Sequence, residues 1–138
     1  MGMYTEIYVK VSLKANTPQD VIQTLLAMMG EGDEPTQLPD HELFTKGRWN
    51  FMLRCSSYYH MPSCVGKFWY DDIAKQWFLL SRSDLKNYEN EIESFFEWIA
   101  PYAEQNSEKQ FIGYELYEEE NEPTMYYLTD NGLEIKIP

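Results

Sequence analysis

The chain has 138 residues, and its 11 Lys and Arg against 23 Asp and Glu give a formal net charge of −12. This charge repels phosphate backbones, so we expect no nucleic acid bound by direct phosphate contacts. Apolar residues make up 43% and aromatic residues 16% of the chain, which argues against disorder and predicts one globular domain over residues 3–138.

The longest apolar runs, such as residues 77–80, are far too short to cross a bilayer. The first residues also lack a basic region followed by an apolar stretch. We therefore expect no membrane partner and a cytoplasmic location.

The chain opens with a strand and a helix. Residues 4–13 alternate between apolar and polar side chains, as a half-buried strand does. Thr17 is then the expected N-cap of a helix, with Pro18 at its first position and Gly30 at its end. The apolar face of the strand consists of Ile7, Val9, Val11 and Leu13.

The rest of the chain alternates short strands with one more helix. After a polar connection over residues 31–40, three strands are predicted over residues 50–57, 64–70 and 76–81. The second helix spans about residues 88–103, because Ile92, Phe96 and Ile99 recur at helical spacing. Three further strands follow over residues 110–117, 124–128 and 133–137.

The predicted order is therefore βαβββαβββ, and the fold class is α+β. We expect a mostly antiparallel sheet with both helices on one face. The same order also divides into two βαββ halves, so an internal duplication is the alternative.

Two cysteines and a histidine lie close together in the sequence. Cys55, His60 and Cys64 are of the ligand types that zinc prefers, but a fourth ligand is absent and the spacing differs from that of structural zinc sites. A nucleophilic cysteine would need an electropositive setting, and only Arg54 and Lys67 are near. We expect no metal here, no catalytic cysteine, and cysteines that act as small buried apolar residues.

The sequence contains no motif for a nucleotide, a dinucleotide or a hydrolase nucleophile. Carboxylate pairs are abundant, but acids on turns are normally solvated. We therefore expect no cofactor and no catalytic residue, and we favour a protein that is not an enzyme.

Aromatic side chains fall mostly on predicted strands and on both faces of them. One face packs under the helices, so the other exposes rings to water, to a partner or to a ligand. Arg48 and Arg54 are candidate contacts for an anion beside these rings. Four rings are chosen as the exposed set: Trp49, Tyr58, Trp69 and Tyr126.

Three segments of the chain resemble small bacterial proteins that are grouped in families of unknown function. The resemblance implies a bacterial or phage cytosolic protein and supplies no activity or site residue. The segments are Tyr4-Thr5-Glu6-Ile7-Tyr8-Val9-Lys10, Arg48-Trp49 and Leu85-Lys86-Asn87-Tyr88-Glu89-Asn90-Glu91-Ile92.

Acidity combined with strand-borne aromatic residues favours a non-enzymatic protein-interaction domain. One version is a phage or defence-related protein whose acidic turn, with Glu118, Glu119, Glu120 and Glu122, occupies a basic surface of its partner. The alternative is a small-molecule binder or an unrecognised enzyme with an aromatic pocket, in which Arg54 or His60 fixes the ligand. A homodimer is compatible with either reading.

Overall fold

The computed structural model describes residues 3–54, 60–61 and 64–138. Three short 3-10 helices accompany the main elements, at Glu42–Thr45, Trp49–Phe51 and Ala100–Tyr102. The main elements are, in chain order, β1 (Thr5–Ser12), α1 (Gln19–Met28), β2 (Val65–Asp71), β3 (Gln76–Leu85), α2 (Glu91–Ile99), β4 (Lys109–Tyr117), β5 (Thr124–Thr129) and β6 (Gly132–Lys136).

The six strands form one sheet in the order β2-β3-β1-β4-β5-β6, and every neighbouring pair is antiparallel. The predicted α+β class is therefore confirmed.

Strand β1 lies in the middle of the sheet and has one buried face. Ile7 and Val9 are fully buried, and Leu13 is 1% exposed, as the alternation of the sequence predicts. The helices share this core with β1. Met29, just after α1, approaches Gly66 of β2, and Phe96 of α2 stacks on Tyr126 of β5.

Both helices have the predicted apolar stripes, with small shifts at their ends. Helix α1 begins at Gln19 with Pro18 as its N-cap, one position later than expected. Gly30 has a φ of +75°, and the predicted stop there is confirmed. Helix α2 begins only at Glu91, because Asn90 is in the left-handed region with a φ of 58°.

The end of α2 reflects the missing amide proton of Pro101. The α-helical hydrogen bonds stop at Ile99, and the last turn tightens into the 3-10 helix Ala100–Tyr102. No helix in the described part of the chain is long and apolar enough to span a membrane.

The strand predicted over residues 50–57 was wrong as far as it can be followed. The chain forms the 3-10 helix Trp49–Phe51 and then a turn over residues 52–54, and residues 55–57 lie outside the described residues. The physical reason is burial on successive positions: Met52 is fully buried and Leu53 is 1% exposed, which a half-buried strand with alternating faces does not allow.

Candidate functional site

Two of the four rings chosen as exposed are in the core, so their predicted exposure was wrong. Trp49 is 7% exposed and packs edge-on against Phe44, with ring centroids 4.9 Å apart. Tyr126 is fully buried, because β5 turns this side chain toward α2, where it stacks on Phe96 at 4.0 Å. Tyr58 lies outside the described residues.

Trp69 lies on the sheet face that the helices do not cover. Its ring stacks on that of Phe78 with centroids 5.5 Å apart, and the Lys67 ammonium group lies 4.8 Å from its centroid. A cation over an indole face is a favourable arrangement. This ring therefore occupies the kind of position that was expected for all four.

We call the face of the sheet that the helices do not cover the open face. It carries aromatic rings on β1 to β5 and basic residues on β1, β2, β3, β4 and β6. Residues opposite each other in antiparallel strands share a face, so the register defines its members. By this register they are Val65, Lys67, Trp69 and Asp71 of β2, Gln76, Phe78, Leu80, Arg82 and Asp84 of β3, Glu6, Tyr8, Lys10 and Ser12 of β1, Lys109, Phe111, Tyr114 and Leu116 of β4, Met125, Tyr127 and Thr129 of β5, and Gly132, Glu134 and Lys136 of β6.

The rings of the open face contact one another across the strands. Tyr8 of β1 lies between Phe111 and Tyr114 of β4, at 6.4 and 5.4 Å between centroids, and all three rings are nearly parallel. Phe111 also contacts Tyr127, and it keeps 42% of its surface exposed. The result is a continuous aromatic surface from β1 to β5.

Five of the chain's 11 basic residues lie on this face, although the whole chain is strongly acidic. Lys109 pairs with Glu134 at 2.7 Å, and Arg82 pairs with Glu6 at 3.1 Å. Within the described residues, the other three have no ion-pair partner. They are Lys10, Lys67 and Lys136.

Glu6 is the centre of a small polar network on the open face. The hydroxyl of Tyr114 donates a hydrogen bond to Glu6, and the Arg82 guanidinium group donates to the same carboxylate. Burial raises the pKa of Glu6, but these two donors outweigh burial and lower it overall. Burial, and then the bond to Glu6, raise the pKa of Tyr114 to about 12.

Part of the open face forms a groove, the Lys10 groove, with a volume of about 350 Å³. It lies at the end of β1 where Ser12 is opposite Phe78. Its walls include Trp69 on one side and Phe111 on the other. Sequence reasoning selected Trp69 as a site residue but did not select Lys10 or Phe111. The alternation of residues 4–13 had already placed Lys10 on the polar face of the first strand.

His60 and Arg54 are in different places, so the structure does not bring them together around one ligand. His60 Nδ1 lies 2.9 Å from the buried Asp84 carboxylate, and the Tyr4 ring stacks on the imidazole at 5.7 Å. Arg54 lies against the Gly30 turn after α1 and lines a cavity that also includes carboxylates. That cavity does not favour an anion.

The other candidate cation and the acidic turn are also separate from the groove. The Arg48 guanidinium group lies 5.0 Å from the ring centroid of Tyr88. Glu118, Glu119 and Glu120 are exposed in the turn between β4 and β5, at the opposite end of β4 from Lys109. The backbone of Glu118 is held by a bond to the Tyr4 carbonyl, at 3.1 Å.

The cysteine expectation needs a correction. Cys64 is disulfide-bonded, not a buried free thiol, and the chain's other cysteine, Cys55, lies outside the described residues. A disulfide sulfur is not a thiolate, so Cys64 in this state is no zinc ligand. Among residues 3–54, 60–61 and 64–138, no group of three or more His, Cys, Asp or Glu could hold a metal ion.

Comparison with known proteins gives no relative: no family model, no curated protein and no solved structure matches this chain.

Proposed function

We propose that this protein is a non-enzymatic domain that binds a partner protein, and that the open face of the sheet is its recognition surface. The observation that carries the proposal is the aromatic surface from β1 to β5, which lies opposite both helices and is bordered by lysines that have no ion-pair partner among the described residues. Protein interfaces are enriched in aromatic residues and Arg at their centres.

The charges of this face favour one class of partner surface. Lys10, Lys67 and Lys136 have no ion-pair partner within the described residues, whereas Glu6 and Glu134 are paired with basic neighbours. A partner with apolar side chains beside carboxylates would complement both the rings and the free ammonium groups.

The acidic turn of Glu118, Glu119 and Glu120 offers a second, weaker candidate surface. It is exposed and carries no ring of its own, so it would act on a basic partner mainly through long-range attraction. The test must therefore separate the open face from this turn.

Selection of peptides from a random phage-displayed library on the immobilised protein tests the proposal without a known partner. We expect the selected peptides to combine apolar and acidic residues. Phe111→Ala should weaken their binding by about tenfold or more, because it removes the most exposed ring of the face. Tyr88→Ala is the matched control, since Tyr88 is 59% exposed but lies outside the open face.

Fluorescence anisotropy of labelled peptides against each folded variant gives the readout. Equal affinity for the wild type and Phe111→Ala, together with a loss of binding in a Glu118→Lys, Glu119→Lys and Glu120→Lys variant, would assign recognition to the acidic turn and refute the open face.

A further inference from the structure

The Lys10 groove differs in its charge from four other cavities formed by the described residues. Lys10 is its one charged residue, and no carboxylate lines it. Four other cavities each include at least one Asp or Glu in their walls. In a chain with 23 acidic residues, a groove with a cation and no acid is a place where an anion is favoured.

Lys10 is available to such an anion. It is exposed, and within the described residues it has no ion-pair partner. Lys67 is on the same row of the open face, one strand beyond Leu80, so its Cα lies about 10 Å from that of Lys10, the width of two strand spacings.

The walls of the groove favour a flat apolar group beside that anion. Trp69 and Phe78 form a stacked pair with an interplanar angle of 25°, and Phe111 lines the groove with them. Ser12 and the amides of Asn106 and Gln110 add neutral hydrogen-bonding groups. A volume of about 350 Å³ lies at the small end of the range of ligand sites.

The net charge of the molecule limits the size of the anion. A long polyanion would extend beyond the lysines and meet a chain with a net charge of −12. A small anion responds mainly to charges within about one Debye length, roughly 8 Å at physiological salt. The groove therefore suits a single anionic group better than a polymer.

We propose that the Lys10 groove binds a small planar aromatic anion, whose ring lies against Trp69 and Phe111 and whose carboxylate or phosphate pairs with Lys10. This ligand site goes beyond the protein-binding role, because it needs no partner protein.

Isothermal titration calorimetry on the full chain tests the site with three probes: 2-naphthoate, 2-naphthyl phosphate and the neutral 2-naphthamide. We expect saturable one-to-one binding of at least one anionic probe. Whichever of 2-naphthoate and 2-naphthyl phosphate binds more tightly shows whether the groove prefers a carboxylate or a phosphate. The neutral amide should bind at least about tenfold more weakly than the anionic probes, because it forms no ion pair with Lys10.

Lys10→Gln should weaken binding of the anionic probe by about tenfold, and Phe111→Ala should weaken binding of all three probes. Lys136→Gln is the matched control, since Lys136 is also exposed on the open face but lies on β6, away from the groove. Both lysines are exposed, so neither change should unfold the protein.

Three results would overturn the proposal: no saturable binding at millimolar concentration, equal affinity for the amide and the anions, or unchanged affinity in Lys10→Gln. Because the titrations contain no peptide or partner, their failure leaves the protein-binding proposal standing. Conversely, peptides that bind only at the acidic turn would refute that proposal and leave this one intact.

Discussion

Glu6 and Glu115 lie on neighbouring central strands but on opposite faces of the sheet, and their pKa values move in opposite directions. Glu115 faces the helices and accepts a hydrogen bond from the Tyr126 hydroxyl. Burial raises its pKa, and the charges of Glu93 and Glu120 add to this effect, although the Tyr126 bond opposes it. The pKa of Glu6 is lowered by its bonds to Arg82 and Tyr114, which outweigh its burial.

Glu115→Gln should change how stability depends on pH. Because the folded-state pKa of Glu115 is raised, folding takes up a proton in the window between the ordinary carboxyl pKa and the folded value. The contribution of Glu115 to stability is fully present below the ordinary carboxyl pKa, and it is lost as pH rises through the pKa of Glu115 in the folded protein. We therefore expect the wild type to lose stability relative to the variant as pH rises from the ordinary carboxyl pKa through the raised pKa of folded Glu115.

Urea denaturation of both proteins across this range measures the difference. The pKa of Glu6 is lowered and that of Glu97 is raised, so both residues also make stability depend on pH. Both are present in the wild type and in Glu115→Gln, so their effects cancel in the difference between the two proteins. Parallel curves of unfolding free energy against pH would show that Glu115 has no raised pKa in the folded state.

Helix α2 shows how one element both fills the core and decides which rings are covered. Ile92, Phe96 and Ile99 are fully buried, as their spacing predicts. Phe96 also lies over Gly113 of β4, where an added Cβ would meet the phenyl ring at 2.6 Å and collide with the Tyr8 carbonyl oxygen. A glycine at this position lets the helix approach the sheet closely.

Phe96→Ala should therefore destabilise the protein by about 3–5 kcal/mol, the usual cost of a large cavity in a core. Ile73→Ala is the control: Ile73 is 95% exposed, and its loss should cost no more than about 0.5 kcal/mol. Urea denaturation gives both values. A cost below about 1 kcal/mol for Phe96→Ala would mean that the stripe is not packed as described.

The charge of the whole molecule is unevenly distributed. Five of the 11 basic residues lie on the open face, whereas Glu118, Glu119 and Glu120 lie at a turn. A stripe of basic residues along one surface would favour binding to nucleic acid. Lys10 and Lys67 share the open face, but Arg48 and Arg54 belong to the connection between α1 and β2, so these four cations do not form one stripe.

The protein should not bind duplex DNA, because too few cations lie together to release the counterions of several phosphates. Anisotropy of a labelled duplex at low salt checks this prediction. Micromolar binding that weakens steeply with added salt, and that disappears in a Lys10→Gln and Lys67→Gln variant, would show that the open face is basic enough to overcome the net charge.

The sequence by itself determined the local structure where one physical signal dominated. The alternation of residues 4–13 identified the buried side of β1, and Gly30 marked the end of α1, because only glycine adopts its backbone conformation without a steric cost. Neither result depends on distant parts of the chain. The α+β class followed from such signals taken in order.

Only the tertiary structure decided which surfaces are exposed. Alternation places Tyr126 and Tyr127 on opposite faces of β5, but it cannot say which face α2 covers, and the wrong ring was chosen. The bulge between Phe111 and Gly113 then shifts the register of β4 and brings Phe111 beside Tyr8. Helix docking and strand order depend on contacts between residues far apart in the chain, so the open face and its groove exist only in the assembled sheet.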